Sequence, residues 1–230
     1  MKTLKQIQKK ISYYVWASFR RRKIDRFLES VKSLYQGVVL DIGGRDRGAF
    51  RKPREQVRKW IHADIAREHQ PDLCMDVAAQ AIKSDSIDVV NAMELFEHVL
   101  GIDGGLQECF RVLKEQGLLI ISVPFLYPVH ADPFDFQRWT KDKWERELDA
   151  KGFVVERSEV SGYFFHVAAD MGKACLKSVP GWLKIPCYIF LPLLDLVAAL
   201  DQWKFVRAHP ILSRYQGGYF FVVRKISKPR

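Results

Sequence analysis

Val38-Val39-Leu40-Asp41-Ile42-Gly43-Gly44-Arg45-Asp46-Arg47-Gly48 decides how this chain is read. An apolar run with one acid inside it enters a glycine-rich turn. A buried parallel strand reads this way, and the turn at its carboxyl end is where backbone can approach a nucleotide-like ligand. Glycine suits that turn because a Cβ would block either the backbone angles or the approach. A phosphate loop would close on Gly-Lys-Ser/Thr, but this turn closes on Arg47-Gly48. The dinucleotide spacing G-x-G-x-x-G also fails, since Arg45 stands where the second glycine belongs.

Working outward, strands and helices alternate. Strands are predicted at 38–42, 60–64, 73–76, 87–90 and 117–123, the last closed by Pro124. A helix is expected after Gly48, another over 106–113 and another over 141–151. Such alternation implies right-handed crossovers and an open, mostly parallel sheet with helices on both faces. Ligands then bind beyond the carboxyl ends of the strands. Two more strands read at 153–156 and 218–223. Nearly sixty residues separate them, so 161–217 reads as an insertion or cap. The organisation expected is an arm (1–36), a core (37–160 with 218–226) and that insertion.

The net charge of +10 over 230 residues is uneven, with +8 in residues 1–36. Ile7, Ile11, Tyr14, Val15 and Phe19 recur at helical spacing among those lysines and arginines, which makes a basic amphipathic arm. Such an arm either caps the domain with its charges in water or lies on an anionic membrane. Nucleic acid fits poorly, because the basic residues avoid the predicted strand ends. The run 185–200 is apolar but shorter than a span, carries Pro186 and Pro192, and is interrupted by Asp195, so a cap or an interfacial segment is expected. Cys74, Cys109, Cys175 and Cys187 have neither paired nor metal spacing, which suits a reducing, cytoplasmic setting, at the inner membrane face if the arm binds lipid.

Asp41-Ile42-Gly43-Gly44 resembles the first motif of class I S-adenosylmethionine-dependent methyltransferases, and further motifs follow in that family's order. The resemblance implies a Rossmann-like seven-stranded sheet with an antiparallel last strand. It places S-adenosylmethionine against Asp41, Gly43, Gly44 and Gly48. It also gives Asp64 and Ile65 to the ribose, Asp76 and Val77 to the adenine, and Asn91, Met93 and Glu94 to the methionine end. In this reading Arg45 and Arg47, where small residues are usual, either pair with the cofactor carboxylate or face solvent.

Glu94-Leu95-Phe96-Glu97-His98-Val99 looks like the E-x-x-E-H-V element of small-molecule methyltransferases. Glu94, Glu97 and His98 would share one helix face. That trio can ligate a divalent metal, but a hydrogen-bonded packing cluster is the expectation, with no metal. Residues 124–140 resemble a P-x-x-x-P-x-H-x-x-P-x-D-x-x-R-x-T segment of methyltransferases that accompany glycan-assembly enzymes. His130 is the expected general base, with Asp135 and Arg138 to orient it or bind substrate. Thr140 reads as a helix N-cap. Methyl transfer to the oxygen of a small-molecule, glycan or lipid-linked acceptor is the leading expectation. The alternative is a catalytically inactive scaffold of this fold in a membrane-associated complex.

Overall fold

A computed structural model of the chain describes residues 2–44, 48–131 and 133–226; Arg45 and Arg47 lie outside them. Helices α1 (Lys2–Trp16) and α2 (Phe19–Ser30) open the chain. Then come β1 (Gly37–Ile42), β2 (Val57–Asp64), β3 (Leu73–Cys74), β4 (Ile87–Met93), α3 (Ile102–Val112), β5 (Leu113–Pro124), α4 (Lys141–Ala150) and β6 (Phe153–Val160). Helices α5 (Phe164–Ser178), α6 (Gly181–Cys187), α7 (Leu191–Ala199) and α8 (Lys204–Ala208) precede the last strand, β7 (Gly218–Lys225).

The seven strands form one sheet in the order β3-β2-β1-β4-β5-β7-β6. β1, β2, β3, β4 and β5 run parallel to their neighbours and β7 runs antiparallel to β5. Val39, Leu40, Val90, Leu119, Ile120 and Val223 are all buried, as continuous apolar runs covered on both faces should be. Register aligns Ile42 with Ala63 and Ala92, and Met93 with Ser122, so the parallel strands end along one edge. The expected helix after Gly48 does not form: no regular element lies between residues 48 and 57. Pro53 removes an N–H and holds Lys52 away from helical angles.

The chain divides into two compact units. Ser30–Asp46, Arg51–Glu159 and Gly218–Arg230 carry the sheet; Met1–Glu29, Arg47–Phe50 and Val160–Gly217 make the other. The arm up to Glu29 and the insertion are therefore one body, while residues 30–36 go with the sheet. Within it, α5 fastens the α1–α2 joint. Lys173 Nζ donates to the carbonyls of Tyr14 (2.8 Å) and Ala17 (2.5 Å) at the end of α1, and Asp170 accepts from the N–H groups of Phe19 (2.7 Å) and Arg20 (2.9 Å) at the start of α2. Cation at a carboxyl end and anion at an amino end both suit the helix dipole. Burial pushes the Asp170 carboxyl up to about 6 and the Lys173 ammonium down to about 8. Asp201 caps α5 in turn, accepting from Tyr163 N (2.6 Å), Phe165 N (3.1 Å) and His166 N (3.2 Å).

Pro186 and Pro192 do not break the apolar run. Lys184–Gln202 is one helical stretch of 19 residues, mean hydropathy 1.4, long and apolar enough by length and composition to cross a membrane. Pro192 sits in the first turn of α7, where its missing N–H costs nothing. Asp195 is held by Arg22 Nη1 (2.5 Å) and by the Tyr14 hydroxyl, so one face of α7 packs on its own unit. The opposite face leaves Ile185 81 % exposed, with Ile189, Leu193 and Leu196 also in the open.

Candidate active site

Apart from Gly48, the residues expected at the cofactor lie at the carboxyl edge of the sheet. Gly43 leaves β1 at φ +68°, its N–H donating to the Ala63 carbonyl (2.8 Å). A Cβ at Gly44 would fall 2.1 Å from Asp41 Oδ1. Asp41 itself is buried. It accepts from Trp60 Nε1 (2.9 Å) and from Asn91 Nδ2 (2.6 Å), while Asn91 Oδ1 accepts from the Tyr35 hydroxyl (2.7 Å). This network joins β1, β2 and β4 beneath the turn and braces it. Asp41 and Asn91, both expected at the cofactor, thus support the turn that would meet it.

Asp64 ends β2 and is 7 % exposed. Its Oδ1 accepts from Ala66 N (2.9 Å), and Oδ2 lies 2.9 Å from His69 Nδ1. A carboxylate has about four acceptor positions, so capacity for a vicinal diol remains. Ile65 beside it is exposed. Asp76 is exposed and turns the chain by accepting from Ala78 N (2.8 Å), with Val77 buried below. Met93, half-buried, ends β4. Gly48 (φ +107°) belongs to the other unit.

Glu94, Glu97 and His98 do not share a helix face as expected. Glu94 takes φ +53°, and its carboxylate accepts from Ser122 Oγ (2.6 Å) on β5. Only Glu97 and His98 enter the short 3-10 turn Phe96–His98. A non-glycine residue with positive φ is strained and stands only where its surroundings fix it.

The loop after β5 reaches this turn. Phe136 N donates to the Glu97 carbonyl (2.8 Å) and Gln137 Nε2 to the Val99 carbonyl (2.6 Å). Asp135 has its side chain 2 % exposed and is gripped by both terminal guanidinium nitrogens of Arg138, Nη2 at 2.6 Å. It accepts His130 N (2.9 Å) and lies 3.4 Å from His130 Nδ1. The Arg138 guanidinium holds the Asp135 carboxyl down to about 2. His130 also stacks edge-on to Tyr127 and to His98. His130, Asp135 and Arg138, the residues the family resemblance singled out in this loop, therefore stand together. Their approach to Glu97 was not predicted, since it joins segments after two different strands. Thr140 caps α4 as expected.

A methyltransferase-domain family profile matches residues 52–121, from before β2 through β5. Solved structures share the fold. The cyclase SpnF aligns at TM-score 0.57 and 18 % identity, covering 89 % of this chain and 81 % of its own. A methyltransferase-fold protein from Bacillus halodurans aligns at 0.53 and 15 %, covering 88 % and 98 %. A phosphoethanolamine N-methyltransferase from Haemonchus contortus, solved with S-adenosylhomocysteine, aligns at 0.52 and 15 %, covering 88 % and 53 %. No curated protein sequence matches. The methyltransferase-domain match over residues 52–121, the sheet order and these structural likenesses show a methyltransferase-type fold. The cofactor fits the residues present: a turn with no room for a Cβ at Gly44, and a carboxylate with acceptor capacity at the next strand end.

Proposed function

We propose that this chain is an S-adenosylmethionine-dependent methyltransferase that methylates a hydroxyl of a small-molecule, glycan or lipid-linked acceptor close to a membrane surface. The observation that carries the reading is the loop after β5, which sets His130 and the Asp135–Arg138 pair beside Glu97 and His98 at the carboxyl edge. Asp64 is assigned the ribose diol, and Gly43 and Gly44 let the backbone close on the cofactor. S-adenosylmethionine supplies an electrophilic methyl group on its sulfonium, so the protein's work is alignment and removal of a proton. His130 is assigned to take that proton, while Asp135, 3.4 Å from Nδ1, steadies the ring. The apolar face of Ile185, Ile189, Leu193 and Leu196, and the lysines Lys5, Lys9 and Lys10 of α1 in the same unit, support membrane contact.

Titration calorimetry with S-adenosylhomocysteine tests the cofactor assignment: micromolar binding should be lost in Asp64→Ala. A folded wild-type protein with no affinity would favour the inactive scaffold instead. With an acceptor in hand, His130→Ala should lower kcat by roughly 10²- to 10⁴-fold and leave cofactor affinity unchanged.

A further inference from the structure

The unit built from the arm and the insertion holds a cavity of about 540 Å³, within the range of small-molecule sites. Its wall includes Arg22, Lys23, Asp25 and Arg26 of α2, His166 of α5 and Asp195 of α7, none of which the methyl-transfer reading uses. Three buried polar atoms of these wall residues have no hydrogen-bond partner among the described residues: Arg22 Nε, Asp25 Oδ1 and His166 Nε2. The rest of each side chain is firmly held. Arg22 Nη1 donates to Asp195 Oδ1 (2.5 Å) and Nη2 to the Tyr14 carbonyl (3.1 Å). Asp25 Oδ2 accepts from the Tyr13 hydroxyl and from Ala49 N (2.9 Å). His166 is 3 % exposed and hydrogen-bonds the Phe19 backbone. The Phe19 N–H is already given to Asp170, so the bond runs from His166 Nδ1–H to the Phe19 carbonyl, and Nε2 keeps its lone pair. Buried polar groups are hydrogen-bonded with few exceptions, so three orphans around one cavity point to a guest.

The types of these atoms define the guest. Arg22 Nε needs an acceptor, and Asp25 Oδ1 and His166 Nε2 need donors. Bare phosphate meets only the first need. An ammonium meets the other two but is repelled by Lys23, Arg26 and Arg20, whose charges, after burial itself, hold the His166 imidazole neutral. Hydroxyl groups donate without adding charge. We propose that this cavity binds a polyol phosphate, its phosphate on Arg22 and its hydroxyls donating to Asp25 and His166. Charge-assisted hydrogen bonds of guanidinium to phosphate and of hydroxyl to carboxylate are the strong ones. The helix α7 that gives Asp195 to the wall also carries the exposed Leu193 and Leu196, so a polyol-phosphate lipid headgroup is one source of this chemistry and a free polyol phosphate the other. The site goes beyond methyl transfer and stands without it.

Calorimetric titration of the full-length protein with glycerol 3-phosphate, against inorganic phosphate and glycerol, reads the free source. Flotation with phosphatidylglycerol vesicles, against phosphatidylserine vesicles of equal charge, reads the lipid source, since only the first headgroup presents a diol. Both are repeated on His166→Phe, which keeps a ring without the lone pair, and on Arg22→Lys, which keeps the charge without the Nε–H. Circular dichroism establishes that each variant folds, and if one does not, the other decides. A preference of about tenfold for the polyol phosphate is expected in at least one arm, and that arm names the source. Each folded variant should abolish it. Equal binding of glycerol 3-phosphate and inorganic phosphate together with equal flotation on both lipids overturns the site. So does a preference that a folded variant retains.

Discussion

Two single residues set the tolerance of the carboxyl edge. Gly44 has no room for even a methyl group beside Asp41, and the Asp41 carboxylate cannot retreat because Trp60 and Asn91 hold it. Gly44→Ala should therefore lower stability by about 1–3 kcal/mol, read by urea denaturation, and weaken S-adenosylhomocysteine binding with it. Asp64 was legible in the sequence because an acid closing an apolar strand is a local pattern. The partners of Asp41 were not legible, because Trp60 and Asn91 sit on neighbouring strands and register is a long-range fact. Glu94 misled for a similar reason. Its spacing from Glu97 is helical, but it lies at a strand end in the left-handed region, where Ser122 of another strand claims its carboxylate.

At the level of elements, strand positions followed from apolar runs and turn residues, and all seven were legible. The crossover between β1 and β2 was not, since alternation alone suggested a helix where Pro53 forbids one. In the other unit, α5 depends on Asp201, which satisfies three N–H groups at its start from a distant stretch of chain. Asp201→Ala should cost about 2 kcal/mol, the upper end for a capping residue, measured as a shift in the denaturation midpoint. The α6–α7 stretch joins apolar residues on one side to an Asp195 anchored on the other. Vesicle flotation should show binding to anionic liposomes that weakens with salt, and Ile185→Glu with Ile189→Glu should abolish it.

Across the whole molecule, acid sensitivity should centre on His166 and Asp170. Burial, with Lys23, Arg26 and Arg20 nearby, pushes the His166 imidazole down to about 3. An unfolded chain takes that proton from about pH 6.5 downward while the folded one refuses it, so this contribution is lost as pH falls from about 6.5 toward 3. Asp170, pushed up to about 6, works in the other direction: the folded chain keeps a proton the unfolded one releases from about pH 4 upward. The two slopes offset between about pH 4 and 6. In His166→Phe only the second remains, so that variant should lose stability as pH rises through this window, by denaturation midpoints taken across it. The sheet order has one more consequence. β7 lies between β5 and β6, yet it follows the entire 160–217 segment in the chain. On the ribosome, β5 and β6 must wait, edges bare, until β7, made after the 160–217 segment, slides in between them. Completion of this sheet thus follows synthesis of the whole 160–217 segment, and the helical unit has time to form first.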